Sequence, residues 1–411
     1  MIPDSIDTLV IGGGQAGLAA SAHLGQAGVP HVVLERARIA ERWRSERWDS
    51  LVANGPAWHD RFPVLAYPDI DPDAFPGKEQ IADYFETFAR TINAPIHCGV
   101  EVRALHRQPS GGFRAETSHG TIISANVIVA TGPFQKPLIP DMVPATSGLM
   151  QMHSTAYKNP DQLPEGAVLV VGAGSSGAQI AEELQRAGKQ VYLSIGPHDR
   201  PPRRYRGQDF VWWLKKLGKW DAKAKEPGTE HVTIAVSGAY GGQTMDFRRL
   251  AAQGMVLLGS ANGFADGCLT VNDDLAVNIA RGDVNYGSVL KEADAFAAAH
   301  RLDLPPEPEA YVLGPLPDCV TDRVQRLNLT ANGVTSLIWA TGFALDFGWI
   351  KMDAFDETGR PIHTDGASKV PGLYFLGLPW LSCRGSAFIW GAWNDAERLA
   401  GQIAARAPTD A

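Results

Sequence analysis

One pattern occurs twice in this chain, and each copy constrains its local geometry closely. The apolar run Leu9-Val10-Ile11 enters Gly12-Gly13-Gly14-Gln15-Ala16-Gly17, and an Ala-rich stretch leaves it towards Ala27. The second copy runs from Val168-Leu169-Val170-Val171 through Gly172-Ala173-Gly174-Ser175-Ser176-Gly177 into Ala178 to Ala187. A strand, a glycine turn and a helix give each glycine a job. The first makes the sharp turn, the second lets a pyrophosphate reach the backbone, and the third lets the helix lie on the strand. Free N–H groups and the positive dipole end at the helix start suit a phosphate without any lysine or arginine. Each copy therefore reads as a dinucleotide site. Gly12, Gly14, Gln15, Ala16 and Gly17 surround one ligand; Gly172, Gly174, Ser175, Ser176 and Gly177 surround the other. The expected fold class is α/β, with two Rossmann-like dinucleotide-binding domains in one chain.

The copies differ where the ribose would lie. Glu35 closes the apolar run Val32-Val33-Leu34, 35 − 12 = 23 positions after Gly12, where a carboxylate accepts ribose hydroxyls. The same offset from Gly172, 172 + 23 = 195, lands on Ile195 beside Ser194, with no acid there. Just beyond stands Arg200-Pro201-Pro202-Arg203-Arg204-Tyr205-Arg206. Loss of the acid with gain of arginines is what a ribose 2′-phosphate asks for. Arg203 and Arg204 are thus its candidate partners, and NADPH, with NADH second, is the expected nicotinamide ligand. A surface basic patch is the competing reading.

Further candidates lie around the turns. Arg36 follows Glu35, and the segment to Ser50 is dense in Arg42, Trp43, Arg44, Arg47 and Trp48. This is either a solvated amphipathic helix or a wrap around the first ligand, with Trp43 stacking and Arg36 and Arg44 pairing with phosphate. Asn54 lies within the irregular stretch Leu51 to Tyr67, before Gly55-Pro56, and serves either turn chemistry or the ligand. Two strands end alike, in Ala130-Thr131-Gly132 and Ala340-Thr341-Gly342, and a third ends at Gly377. Small residues there are what a backbone pressed on a cofactor requires. Val102, in a small antiparallel layer, completes the candidate cofactor contacts.

The prolines and glycines of Pro133 to Pro164 mark an interdomain connection, which carries His153-Ser154-Thr155-Ala156-Tyr157. The expected division is a first domain over 1–157 and 320–411 and a second over 158–319, with an insertion at about 207–317. Helices are expected over Gly77 to Ile92, Phe247 to Gln253, about Val289 to His300 and about Ser386 to Ala405, with a strand over Val232 to Val236. Phe388, Trp390 and Trp393 are either core or the wall of an apolar pocket.

A net charge of −8 argues against nucleic acid or an anionic membrane as the main partner. No apolar run approaches the ~18 residues of a membrane span, and the first strand starts too near Met1 for a cleavable leader. Cys98, Cys268, Cys319 and Cys383 lie far apart with no Cys-x-x-Cys. That argues against a zinc knuckle or a thiol relay and fits a reduced, cytoplasmic compartment.

Two dinucleotide turns 172 − 12 = 160 residues apart imply a resident flavin on the first and a visiting nicotinamide on the second. Through both turns, His153-Ser154-x-x-Tyr157 and Ala340-Thr341-Gly342-Phe343, nearly the whole chain resembles the class B flavin-dependent monooxygenases. The family's linker pattern has Phe and Gly where Ser147 and Leu149 stand here, while His153 and Tyr157 match. Baeyer–Villiger members usually carry Trp at the place of Tyr157. The resemblance therefore points to oxygenation at N or S, or to an oxidation of the plant auxin-synthase type, rather than to ketone oxygenation. It implies that NADPH reduces FAD, that O₂ adds to give a C4a-hydroperoxide, and that retained NADP⁺ shields it until a small organic substrate takes the oxygen. It further implies a catalytic set in which Asn54 meets the reactive flavin edge while His153 and Tyr157 order the interface. A homodimer is the expected assembly. A flavin disulfide reductase, a ferredoxin-type reductase and a nucleotide-sensing flavoprotein are the other readings that the two turns allow.

Overall fold

In the computed structural model, which describes residues 2–224 and 233–406, each glycine turn sits at the carboxyl end of a parallel strand of its own sheet, the first sheet mixed and the second parallel. Strand β1 (Ser5–Ile11) leads into α1 (Gln15–Gln26) and β2 (His31–Glu35). A short α2 (Glu41–Ser45), a long loop and α3 (Lys78–Thr91) follow. Then come β3 (Ile96–Cys98), β4 (Val102–Arg107), β5 (Phe113–Thr117) and β6 (Gly120–Val129). The chain crosses over through β7 (Lys136–Pro137) to β8 (Met150–His153), β9 (Ala167–Val171), α4 (Ser175–Arg186) and β10 (Val191–Ser194). Next are the hairpin β11 (Arg204–Tyr205) and β12 (Gln208–Asp209), α5 (Phe210–Lys216), α6 (Ala239–Gly242), α7 (Phe247–Ala252) and β13 (Val256–Leu258). A second hairpin, β14 (Ala261–Ala265) with β15 (Cys268–Val271), precedes α8 (Leu275–Ala299), α9 (Asp318–Thr321), β16 (Arg326–Asn328) and β17 (Val334–Trp339). The return crossing is β18 (Phe343–Ala344), followed by β19 (Ile350–Lys351), β20 (His363–Thr364), β21 (Ala367–Ser368), β22 (Leu373–Phe375) and α10 (Ile389–Ala404).

In the first sheet β1 lies between β2 and β6, parallel to both, with Leu9 opposite Val32 on one side and Val127 on the other. The sequence suggests one short strand at Thr121 to Ile123 and another at Val127 to Val129, and the structure has a single strand, β6. Its first half alternates buried and exposed residues against antiparallel β5, while Val127-Ile128-Val129 is buried on both faces between β1 and β22. A strand leaving a one-sided antiparallel layer for a two-sided parallel sheet changes its pattern in just this way.

The second sheet has the order β13-β10-β9-β17-β8, all parallel. Two of its strands, β8 and β17, fall in the stretches that the sequence division gave to the first domain. Leu337-Ile338-Trp339 is fully buried because β17 is flanked by β9 and β8, a position that demands apolar residues on both faces. The two sheets are joined by the crossings themselves, since β7 and β18 pair as a two-stranded antiparallel ribbon.

Helix α8 runs 25 residues, far longer than the expected Val289 to His300. Its helical period is masked because Asn278 and Gly282 are buried while Val277 and Val284 face solvent. Trp393 is core, packed against His23, Phe62 and Phe88. Ile234 makes an isolated bridge to Asp199 instead of a strand, and Val232 lies outside the described residues. Among the described residues no helix is long and apolar enough to cross a membrane.

Burial lowers the pKa of His23, His31, His153, His198 and His363 below the ordinary 6.5. Each of these holds a proton less readily when folded than when unfolded. Their contribution to stability is therefore complete above the unfolded value and is lost as pH falls through it towards the folded ones. The urea midpoint should be lower at about pH 5.5 than at about pH 7.5, and an unchanged midpoint would contradict this account.

Candidate functional site

The two glycine turns are built alike, atom for atom. Gly12 and Gly172 have φ of +115° and +105°, and a Cβ on either would lie 2.5 Å from the carbonyl oxygen of Ala130 or Ala340. A Cβ on Gly17 or Gly177 would lie 1.8 Å from the oxygen of Gly12 or Gly172. The amides of Ala130 and Ala340 donate to Ile11 and Val171, both at 2.8 Å. The Ala-Thr-Gly endings thus press directly on the turns, with Gly132 and Gly342 at positive φ just beyond.

Gly14 is different in kind. Its φ of −89° and ψ of −167° suit any residue, and nothing lies within 4 Å of where its Cβ would be. The fold has no need of glycine there, but a pyrophosphate approaching the backbone does. No side chain caps α1 and no acid occupies its first turn, so its first amides are left for an anion. Glu35 is held beside them, its carboxylate accepting from the amides of Gly13 at 2.7 Å and Ala37 at 2.9 Å. Gly377 touches Ala16 so closely that a Cβ would come within 2.6 Å of Ala16 Cβ. Arg36 is exposed beside Glu35, and Val102 packs at the edge of the first core opposite Thr117. This cradle fits a dinucleotide.

The second cradle is uncapped in the same way but partly covered. A Cβ on Gly174 would meet Thr233 Cγ2 at 3.3 Å. The Ser175 hydroxyl donates to the Ile234 carbonyl at 2.8 Å, so it is committed to the fold rather than to a ligand. The segment Thr233 to Ser237 lies over the start of α4, and Gln179 Nε2 holds it by donating to the Val236 carbonyl at 2.6 Å.

Three expected contacts, at Arg203, Arg44 and Ser194, are corrected by their surroundings. Arg203 is 1% exposed and gives its guanidinium to Asp209 in a bidentate pair, with another bond to the Asn54 carbonyl at 2.5 Å. Sandwiched between the Phe75 and Phe210 rings, it has no face left for a 2′-phosphate. Arg44 is bound to Glu79, Asp83 and Glu86 of α3 and Glu-rich surroundings, not a phosphate, explain it. Ser194 is buried, donating to the Gly259 carbonyl and accepting from the Ala261 amide. Arg200 and Arg206 of the same basic run pair with Asp283 and Asp294, which leaves Arg204 exposed as the free cation of that run among the described residues.

Between the cradles the segment 43–54 ties the two halves together. Trp43 packs against both cores, and Trp48 and Leu51 belong to the second. Asn54 Oδ1 accepts from Gln179 Nε2 at 2.9 Å, which leaves its Nδ2 without a partner among the described residues. His153 is buried, its Nε2 against the Gly342 carbonyl and its Nδ1 against the Thr155 hydroxyl, both at 3.1 Å. Phe343 meets its ring edge-on, and Phe134 and Arg47 continue the stack. Burial pulls the Arg47 guanidinium down to about 10. Tyr157 is fully buried and donates to Glu183 at 2.9 Å, while Ser50 donates to the other oxygen at 2.6 Å. Burial raises both the Tyr157 and the Glu183 pKa. His153 and Tyr157 therefore hold the interface, and their polar atoms are engaged there. Gln179 and Glu183 carry no local signal and sequence reasoning missed them, while the stretch expected as a strand over Val232 to Val236 gave no sign that Thr233 to Ser237 lies over the second cradle.

Residues 9–217 match the family described as pyridine nucleotide-disulphide oxidoreductase. The chain is 36% identical over 403 residues to an "uncharacterized oxidoreductase CzcO-like" of Geobacillus kaustophilus, covering 97% of this chain and 98% of that one. Indole-3-pyruvate monooxygenase YUCCA1 of Oryza sativa is 34% identical over 195 residues, 46% of this chain and 47% of that protein. Among solved structures, the flavin-containing monooxygenase of Stenotrophomonas maltophilia shares the fold with a TM-score of 0.67 at 19% identity, over 98% of this chain and 99% of that one. Matched turns, their order in the chain and these similarities converge: the chain belongs to the pyridine nucleotide-disulphide oxidoreductase family and shares its fold with flavin-containing monooxygenases.

Proposed function

We propose that this chain is an FAD-dependent monooxygenase that takes two electrons from a nicotinamide dinucleotide and transfers one atom of O₂ to nitrogen or sulfur of a small organic substrate. The second oxygen leaves as water, and the nicotinamide is oxidised. One observation carries the reading: the chain builds two matched phosphate cradles, neither turn contains a cysteine, and all four thiols are free. A thiol-relay reductase would need a cysteine pair beside the first cradle. The name of the rice relative, a monooxygenase, supports the same choice.

When bound, FAD supplies the electron and oxygen chemistry; the chain supplies position and dryness. The amides of Gln15, Ala16 and Gly17 would hold its pyrophosphate, and Glu35 its ribose hydroxyls. The amides of Ser175, Ser176 and Gly177 would take the nicotinamide dinucleotide. Gln179 fixes the Asn54 carboxamide so that Nδ2 is presented as a donor at the interface. His153 and Tyr157 act as positioning residues for the two crossings. With Arg203 committed to Asp209, the 2′-phosphate reading rests on Arg204 alone, and we propose that NADH serves as well as NADPH. The test is oxygen transfer from ¹⁸O₂ to thioanisole and to N,N-dimethylaniline by the yellow protein with either dinucleotide. One labelled oxygen in the sulfoxide or N-oxide is the expected result. Dinucleotide oxidation that ends only in hydrogen peroxide or in a reduced acceptor would overturn the proposal.

A further inference from the structure

The two cradles match in their glycines and differ in what stands over them. Gly14 and Gly174 both have extended backbone at the head of an uncapped helix, α1 and α4. Nothing lies within 4 Å of where a Cβ on Gly14 would be, whereas one on Gly174 would meet Thr233 Cγ2 at 3.3 Å. That is the side from which a pyrophosphate reaches the backbone of such a turn. The first residue of each helix ties down a loop carbonyl. Gln15 Nε2 donates to Ala387 and Ser175 Oγ to Ile234, both at 2.8 Å. The longer Gln15 side chain keeps its loop clear of the first turn, while the short Ser175 brings Ile234 down on the second. A carbonyl oxygen at the positive end of α4 takes the place that an anion would take.

The stretch that covers the second turn is held unevenly. Ala235 and Val236 are buried in the core, and Gln179 Nε2 donates to the Val236 carbonyl at 2.6 Å. A Cβ on Gly238 would lie 2.1 Å from the Ala53 carbonyl oxygen, so this end is pressed against the segment that carries Asn54. Thr233 and Ile234, by contrast, are half-buried. Besides the Ser175 bond, the Asp199 amide donates to the Thr233 carbonyl at 2.8 Å, and the Ala235 amide donates to the Asp199 carbonyl at 2.9 Å. Thr233 and Ile234 can therefore lift about Ala235 and Val236 as a fixed point, without unpacking the core.

We infer that Thr233 and Ile234 are a latch over the phosphate bed of the second cradle, which lifts when the nicotinamide dinucleotide binds, and that the Ser175 hydroxyl is its catch. Ser175 is thereby a positioning residue whose side chain opposes binding while its amide supports it. The apparent affinity is the intrinsic one reduced by the fraction of molecules with the latch raised. The arrangement suits the two tenants: the open bed keeps a resident, and the latched one admits a visitor able to displace two residues. The inference rests on the reading of the second cradle as the nicotinamide site.

The experiment titrates the flavin-loaded protein with NADP⁺ and with NAD⁺ by calorimetry. Ser175→Ala should bind both about threefold to tenfold more tightly than the native protein, since one hydrogen bond of the closed state is removed. Ser175→Thr, which keeps the hydroxyl, should lose that gain. Weaker binding by Ser175→Ala would overturn the proposal, because the hydroxyl would then serve the phosphate, and so would unchanged binding. Thr233→Ala, which removes the methyl group over Gly174, should also tighten both dinucleotides, and it decides if Ser175→Ala does not fold. Hydrogen exchange of the native protein needs no substitution. The Asp199 amide should exchange about tenfold faster with NADP⁺ bound, because its acceptor has moved away. Exchange that is slower or unchanged would overturn the proposal. Binding of neither dinucleotide by any of these proteins would overturn the reading of the second cradle as well, whereas unaltered affinities would overturn the latch alone.

Discussion

Replacing Gly14 with valine should yield a folded protein that no longer holds flavin. The backbone there is extended enough for valine, and the space around its Cβ is open, so the stability cost should stay within about 1 kcal/mol. The branched side chain would instead occupy the approach to the first amides of α1, where the pyrophosphate must come close. Flavin per protein, read from absorbance, should fall to less than about a tenth, because the cofactor's main anion contacts are lost together. Gly17→Ala is the contrasting variant, since its Cβ would lie 1.8 Å from the Gly12 oxygen and the strand–helix contact itself must give way. Loss of flavin and loss of fold should then occur together. A fully yellow Gly14→Val protein would show that the first cradle is not the flavin's.

Arg203→Met should be strongly destabilising, and for a reason unconnected with ligands. Arg203 and Asp209 side chains are 1% and 8% exposed and meet at 2.5 Å. Removing one partner leaves the other charge buried and uncompensated, which typically costs about 3–5 kcal/mol. The same change opens the contact to the Asn54 carbonyl, so the damage extends to the interface. The urea midpoint should drop accordingly, and the double variant Arg203→Met with Asp209→Asn should recover part of the loss. If Arg203→Met keeps native stability and raises only the NADPH KM, the arginine serves a 2′-phosphate after all.

These two residues also show what a sequence can reveal. Gly12, Gly14, Gly17 and their second copy are legible because a turn of this shape is a local covalent demand, met within six residues. Glu35 is legible because strand length fixes its distance from the turn. The Ala130 and Ala340 endings are visible as repeats, although the carbonyl contacts that require them are seen only in the structure. Arg203 misleads, since a basic run looks the same whether its charges face solvent or are answered by Asp209, Asp283 and Asp294. The bond between Asn54 and Gln179 joins residues 125 apart, and no period or spacing announces it. The placement of β8 and β17 is hidden similarly: each is a plain apolar strand, and which sheet it enters depends on partners far along the chain. Helix α8 escapes because its buried stripe includes Asn278 and Gly282.

The paired crossings at β7 and β18 have a mechanical consequence. The chain passes between its two sheets once in each direction, and the two passes are bonded side by side, Phe343 opposite Pro137 and Ala344 opposite Lys136. The Leu138 amide on Gly342 and the His153 ring on the same carbonyl extend the clasp. Bonds laid across two adjacent strands resist stretch and shear, whereas a two-stranded ribbon yields readily to torsion. Torsion about this ribbon is opposed by the ties made elsewhere between the halves, from Gln179 and Arg203 to Asn54 and from Ser50 to Glu183, so the clasp and segment 43–54 together restrain stretch and twist alike.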